Sequence, residues 1–188
     1  MSHTAIDDAI LEEFGPILIK NGYDWITMDK LDLPESNTSD DSDTGFLNKA
    51  LICESWMEHH DKGVREQHDQ LIHSGIPERQ ILLDYFNNLE AFMEEHKYRG
   101  CPFSQTAKDI QGMGEKGIEQ KIREHKQEVR RFFQKLCRKL VFQPNTVAES
   151  LFLIYMGAMA ESNDLMSMDP IHAGRKSAVF LYEKFQSA

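Results

Sequence analysis

The 188-residue chain is short of proline (6), cysteine (3) and tryptophan (2), and nowhere does it string together a long hydrophobic run. Its longest apolar stretch, Leu151 to Ala160, falls well short of the roughly 20 residues that cross a bilayer, so no membrane span is expected. The N-terminal Met1 to Asp8 is polar and acidic, unlike a signal or transit segment. Three cysteines, Cys53, Cys101 and Cys137, are an odd number without metal-ligand spacing. That argues against a disulfide scaffold and fits a reducing cytoplasm. Positive charge is also missing where it would matter for nucleic acid. Residues 1–48 hold eleven acids against Lys20 and Lys30, a net of −9, whereas the rest carries 20 acids and 19 bases. A segment of that sign repels phosphate, since affinity for a nucleic-acid backbone comes from Lys and Arg displacing counterions.

Catalytic motifs are absent as well. The sequence has no HExxH, no nucleophile elbow, no phosphate-cradling GxxxxGK and no GxGxxG opening a helix after a strand; Gly112-x-Gly114 lies between helices and reads as a hinge. No catalytic residue and no cofactor is therefore nominated, and an enzyme is not expected. Four histidines, His59, His60, His68 and His73, share one helical segment, yet no two stand at the i, i+3 or i, i+4 spacing by which a helix captures a metal. No metal is expected. Cys101 lies in a tight turn between Gly100 and Pro102, with Arg99 nearby but no histidine that the sequence pairs with it, which favours a packing role.

What is present is helical periodicity almost throughout, which makes the class all-α. Ala5 to Phe14 reads as a helix that Gly15-Pro16 interrupts, because a mid-helix proline costs about 3 kcal/mol. Thr27 to Leu33 reads as a short helix capped by Thr27. Pro34 to Gly45 contains no apolar residue and reads as an irregular loop. Longer helices follow over Phe46–Ser74 and Pro77–His96, with a brief one over Ser104–Ile110. Glu115–Val141, Asn145–Ser162 and Pro170–Gln186 complete the series. Basic residues along Glu115–Val141 alternate with Glu119, Glu124 and Glu128, as on a solvated helix face rather than a nucleic-acid stripe. The segment Leu151–Ala160 is apolar nearly all the way round and so needs cover on two sides. With the last helix it predicts a self-associating four-helix interface, a homodimer through Leu151, Ile154, Tyr155, Ala158, Val179 and Tyr182.

Two segments in this order resemble the TetR family of bacterial transcriptional regulators. The first, Asn21-Gly-Tyr-Asp-Trp-Ile-Thr-Met-Asp-Lys-Leu31, is similar to the family's G-[YF]-x-x-T-[ST]-[MV]-x-x-[IL]; the second, Tyr98-Arg-Gly-Cys-Pro-Phe103, is similar to the RGCPF turn of its effector domain. The resemblance implies a small helix-turn-helix head over 1–48 and a helical effector-binding and dimerisation body over 49–188. It further implies a small-molecule effector held near Trp56, Met57, His60, Cys101, Phe103, His125, Val129 and Phe132. Phe46, Lys49 and Ile52 keep the end of the family's DNA-reading pattern, with Lys49 nominated as a phosphate contact. The reading helix itself departs from it: Asp40 and Asp43 stand where a glycine and a backbone-contacting tyrosine belong, which sets carboxylates against the phosphates. The head therefore reads as a degenerate helix-turn-helix, with direct DNA binding opposed by its charge. The alternative is a regulator that pairs with or sequesters another protein.

Overall fold

The computed structural model describes residues 6–31 and 48–186. The described chain forms seven α-helices: α1 (Asp8–Asn21), α2 (Lys49–His73), α3 (Glu78–Glu95), α4 (Pro102–Asp109), α5 (Lys116–Cys137), α6 (Pro144–Leu165) and α7 (Asp169–Gln186). Among the described residues between the first two lies a 3-10 turn, Met28–Lys30. Among the described residues there is no strand, and no helix is long and apolar enough to cross a membrane. The expected loop Pro34–Gly45, Phe46 and the acidic recognition segment all lie outside the described residues.

The chain folds as two compact units: Met1–Lys62 with Pro102–Arg123, and Gly63–Cys101 with Glu124–Ala188. In the first unit α1 begins where Asp7 Oδ1 accepts from the Ala9 amide at 3.0 Å. It ends at Gly22, whose φ of 87° suits glycine and whose N–H reaches Leu18 O at 2.9 Å. Contrary to the expectation of a break, α1 runs straight through Gly15-Pro16. The reason is positional. Pro16 and Glu12 both lie on the exposed side, where water can serve the carbonyl that the missing N–H abandons. Gly15 lies on the opposite, buried side, and a Cβ there would sit 2.2 Å from Nε1 of Trp56. This glycine is the notch that admits the indole, and burial of Ile10, Leu11, Phe14 and Leu18 outweighs the local penalty. The short helix expected from Thr27 shrinks to the 3-10 turn. The Thr27 side chain makes no cap bond to the backbone and bonds the Asp29 carboxylate, which helps hold that carboxyl below its usual range. Asn48 caps α2 through Oδ1 to the Leu51 amide, 2.8 Å.

In the second unit the core is built from Ile81, Leu82, Phe86, Leu89 and Met93 of α3, Phe132, Phe133 and Leu136 of α5, Leu151 and Phe152 of α6, and Ile171, Ala178 and Tyr182 of α7. α5 stops at Cys137, four residues before the expected end, and Val141 stands 91% exposed. The backbone then turns through Gln143 (φ 47°), so that Pro144 opens α6 at a first-turn position that needs no N–H. α6 continues to Leu165, past the expected Ser162, and closes at Met166 with φ 51°. α6 and α7 cross closely at Gly174, where a Cβ would lie 2.7 Å from that of Ala158.

Candidate functional site

The second unit contains a buried polar chain that the sequence reading did not assemble. His68 of α2 is stacked on Phe132 (ring centroids 4.4 Å apart). Its Nδ1 is 3.3 Å from Oε1 of Glu128 and its Nε2 is 3.0 Å from the Tyr85 hydroxyl. In the neutral tautomer that satisfies both contacts, Nδ1–H donates to Glu128 and Nε2 accepts from Tyr85. Arg131 adds a second donor to Glu128, Nη1 to Oε2 at 3.1 Å. Tyr85 in turn shares a hydrogen bond with Tyr155, and the two rings lie 4.8 Å apart. Burial is the main reason that both phenols are pushed well above their ordinary range, so each stays protonated and available as a donor. The sequence does carry a signal for this chain. His68 falls in step with Val64, Leu71 and Ile72, and Glu128 in step with His125, Val129 and Phe132, so both polar residues occupy apolar-stripe positions.

A thiol lies next to this chain. Cys101 Sγ is 3.9 Å from His125 Nε2, both side chains buried, which corrects the reading that Cys101 has no histidine partner. The two residues stand 24 positions apart on different elements, so spacing alone could not join them. Lys126, next along α5, has its ammonium 3.9 Å from the Met156 sulfur. Burial pulls that ammonium down, and the charge of a Cys101 thiolate would oppose the shift.

Of the eight expected ligand residues, the second unit holds Cys101, His125, Val129 and Phe132, and the first holds Trp56, Met57, His60 and Phe103. Within the first unit Trp56 stacks on His60 at 4.9 Å, with Phe103 5.7 Å from His60 and 6.1 Å from Trp56. Met57 is fully buried.

No protein-family model matches the chain, and no curated protein matches it. Among solved structures it is similar to the regulatory protein TetR from Rhodobacter sphaeroides, with a TM-score of 0.76 at 16% identity, over 93% of this chain and 97% of that one. The chain has the TetR fold.

On this TetR fold the nominated phosphate contact is held inside the head. Lys49 Nζ donates to Tyr23 O at 3.2 Å and sits 4.0 Å over the Tyr23 ring, while the Tyr23 amide donates to Asp109 Oδ2 at 2.8 Å. Lys30 is engaged in the same manner with Trp25, donating to its carbonyl at 2.7 Å. The basic series of α5 spends its charge on carboxylates, but few of the partners are along the helix. Arg123 pairs with Glu119 at i, i+4, whereas Lys121 reaches Glu58, Lys135 reaches Asp69, Arg130 reaches Glu149 and Lys139 reaches Glu78. Of the residues nominated for a dimer contact, Leu151, Ala158, Val179 and Tyr182 are buried within the single chain, and Ile154 and Tyr155 are half-buried. The outward apolar residues of α6 and α7 are Leu153 (57% exposed), Leu165 and Phe180 (70% exposed). Among the described residues, no cluster of His, Cys, Asp or Glu could hold a metal ion.

Proposed function

We propose that the chain is a TetR-like transcriptional regulator that works as a cytoplasmic homodimer and senses a small, mostly apolar molecule through its helical body, residues 49–188. The observation that carries this reading is the likeness to a TetR regulatory protein along nearly the whole of both chains. The apolar face of α6 and α7 supports a dimer. Leu153 and Phe180 project outward from the helices whose inner faces bury Leu151, Ala158, Val179 and Tyr182, so a second copy would cover the outer layer and add to the half-buried Ile154 and Tyr155. The effector contacts we assign are Trp56, Met57, His60 and Phe103 in the first unit and Cys101, His125, Val129 and Phe132 in the second. The first set is aromatic-rich, and the second joins the apolar Val129 and Phe132 to Cys101 and His125; apolar lining with a few polar groups is the composition of small-molecule sites.

Direct DNA binding is expected to be weak. The head carries −9 over residues 1–48, and Lys49, its nominated phosphate contact, is tied to Tyr23. That charge favours a second reading, in which the head docks on a basic protein surface and the regulator acts by sequestration. A mobility-shift assay on the upstream region of its own gene at about 50 mM salt separates the two, because a head that reads DNA through phosphate contacts would bind most tightly there. No specific shift at nanomolar protein is the expected result. A specific shift would restore the DNA-binding repressor and remove the sequestration reading.

A further inference from the structure

We infer that Cys101 and His125 form an activated thiol pair that captures small, apolar α,β-unsaturated carbonyl compounds as covalent adducts. This deepens the ligand-sensing reading above by naming a substrate chemistry for its second-unit residues. Three features of the structure support it. First, the 3.9 Å approach of His125 Nε2 to Sγ gives the thiol a base that can take its proton. Second, a cation lies near the sulfur, and its phenol neighbours carry no negative charge of their own. Lys126 is the neighbouring cation, and the two phenols that feel a Cys101 thiolate, Tyr85 of α3 and Tyr155 of α6, both remain protonated. The groups beside the sulfur include one histidine and one lysine from α5 and two neutral phenols, and Glu128 is engaged by His68 and Arg131. Third, the rings of Tyr85 and Tyr155, 4.8 Å apart and inclined to each other by 37°, give the pair an aromatic neighbourhood suited to a small conjugated ligand.

The chemistry balances without an oxidant or a co-reactant. His125 takes the thiol proton, and the thiolate adds to the β-carbon of the enone as the C–S bond forms and the C=C π bond breaks. The electron pair moves to the carbonyl oxygen as an enolate, and the imidazolium returns the proton to the α-carbon. The product is a thioether at the same overall oxidation level.

The other two thiols are internal controls. Cys53 and Cys137 are fully buried, whereas Cys101 keeps 7% exposure. Burial raises both control thiols, Cys137 to about 12, which leaves them as unreactive neutral groups. The test treats the full native chain with cyclohex-2-enone, following adducts at each cysteine by peptide mass over pH 5 to about 9, a range that spans histidine titration. Cys101 is expected to react at least about tenfold faster than either other thiol, and all three at similar rates in concentrated urea. His125→Gln is expected to slow the Cys101 adduct at least about tenfold and to erase the histidine inflection from its pH profile. Lys126→Met, which keeps length and apolarity, should also slow it, so the proposal remains testable if the Gln variant does not fold. A native chain that reacts first at Cys53 or Cys137, or variants that leave rate and pH profile unchanged, would overturn the pair. That failure leaves non-covalent sensing by the same body intact, since only reactivity, and no binding, is measured.

Discussion

Gly15 and Trp56 show how much one missing methyl group can decide. The indole Nε1 occupies the space a Cβ would take, at 2.2 Å, so Gly15→Ala forces either the helix or the ring to move. Overpacking of this kind costs about 1–3 kcal/mol, which urea unfolding would read as a lowered midpoint at unchanged slope. The buried relay is equally sensitive for a different reason. Replacing His68 with Leu leaves the Glu128 carboxylate and the Tyr85 hydroxyl each short of a partner inside the core, and the expected loss is about 2–4 kcal/mol in the same measurement. Glu90 gives a pH signature. Its hydrogen bond from His172 (2.9 Å), then the charges of His172 and Arg175, hold its carboxyl below the ordinary 4.5. Its folded pKa is depressed, so the stability it contributes is complete above 4.5 and is lost as the pH falls through the lowered folded value. Glu90→Gln should therefore cost less than about 1 kcal/mol near neutrality and nothing in strong acid, as urea titrations at the two pH values would show.

At the scale of helices, the all-α class and the order of the described helices were legible because apolar residues recur at helical spacing across α3, α5, α6 and α7. Local rules failed where tertiary packing outweighed them. Gly15-Pro16 signals a stop by propensity, but one residue fills a notch while the other faces water. The end of α5 was misplaced because Leu140 is apolar and buried although it lies beyond the last helical turn. The Cys101–His125 and His68–Glu128 contacts join distant segments (the latter 60 residues apart), so periodicity could place each residue on a face without telling which faces meet. The terminal helices carry the prediction of this scale. Phe180→Glu puts a charge on an exposed site of α7, which leaves the chain's own core untouched but would bury an unpaired carboxylate in a dimer. Monomer of native helicity is the expected result in light scattering with circular dichroism; an unchanged dimer would move the interface elsewhere.

For the molecule as a whole, charge is unevenly placed. The acids of residues 1–48 give any dimer two strongly negative heads, while the remaining residues are close to neutral. Raising salt should then help, not weaken, whatever residual contact the protein makes with duplex DNA, the reverse of counterion-driven binding. Salt should weaken docking on a basic protein surface. The first unit also holds both tryptophans, in opposite settings. Trp56 is walled in by Gly15 and stacked on His60, whereas Trp25 is 46% exposed beneath the Lys30 ammonium. The chain thus contains two optical probes that one experiment can separate. Iodide in solution should extinguish the red-shifted emission of Trp25 and spare the blue-shifted emission of Trp56. Any event that disturbs the indole–imidazole stack would then appear as a colour change from inside the protein, without a label.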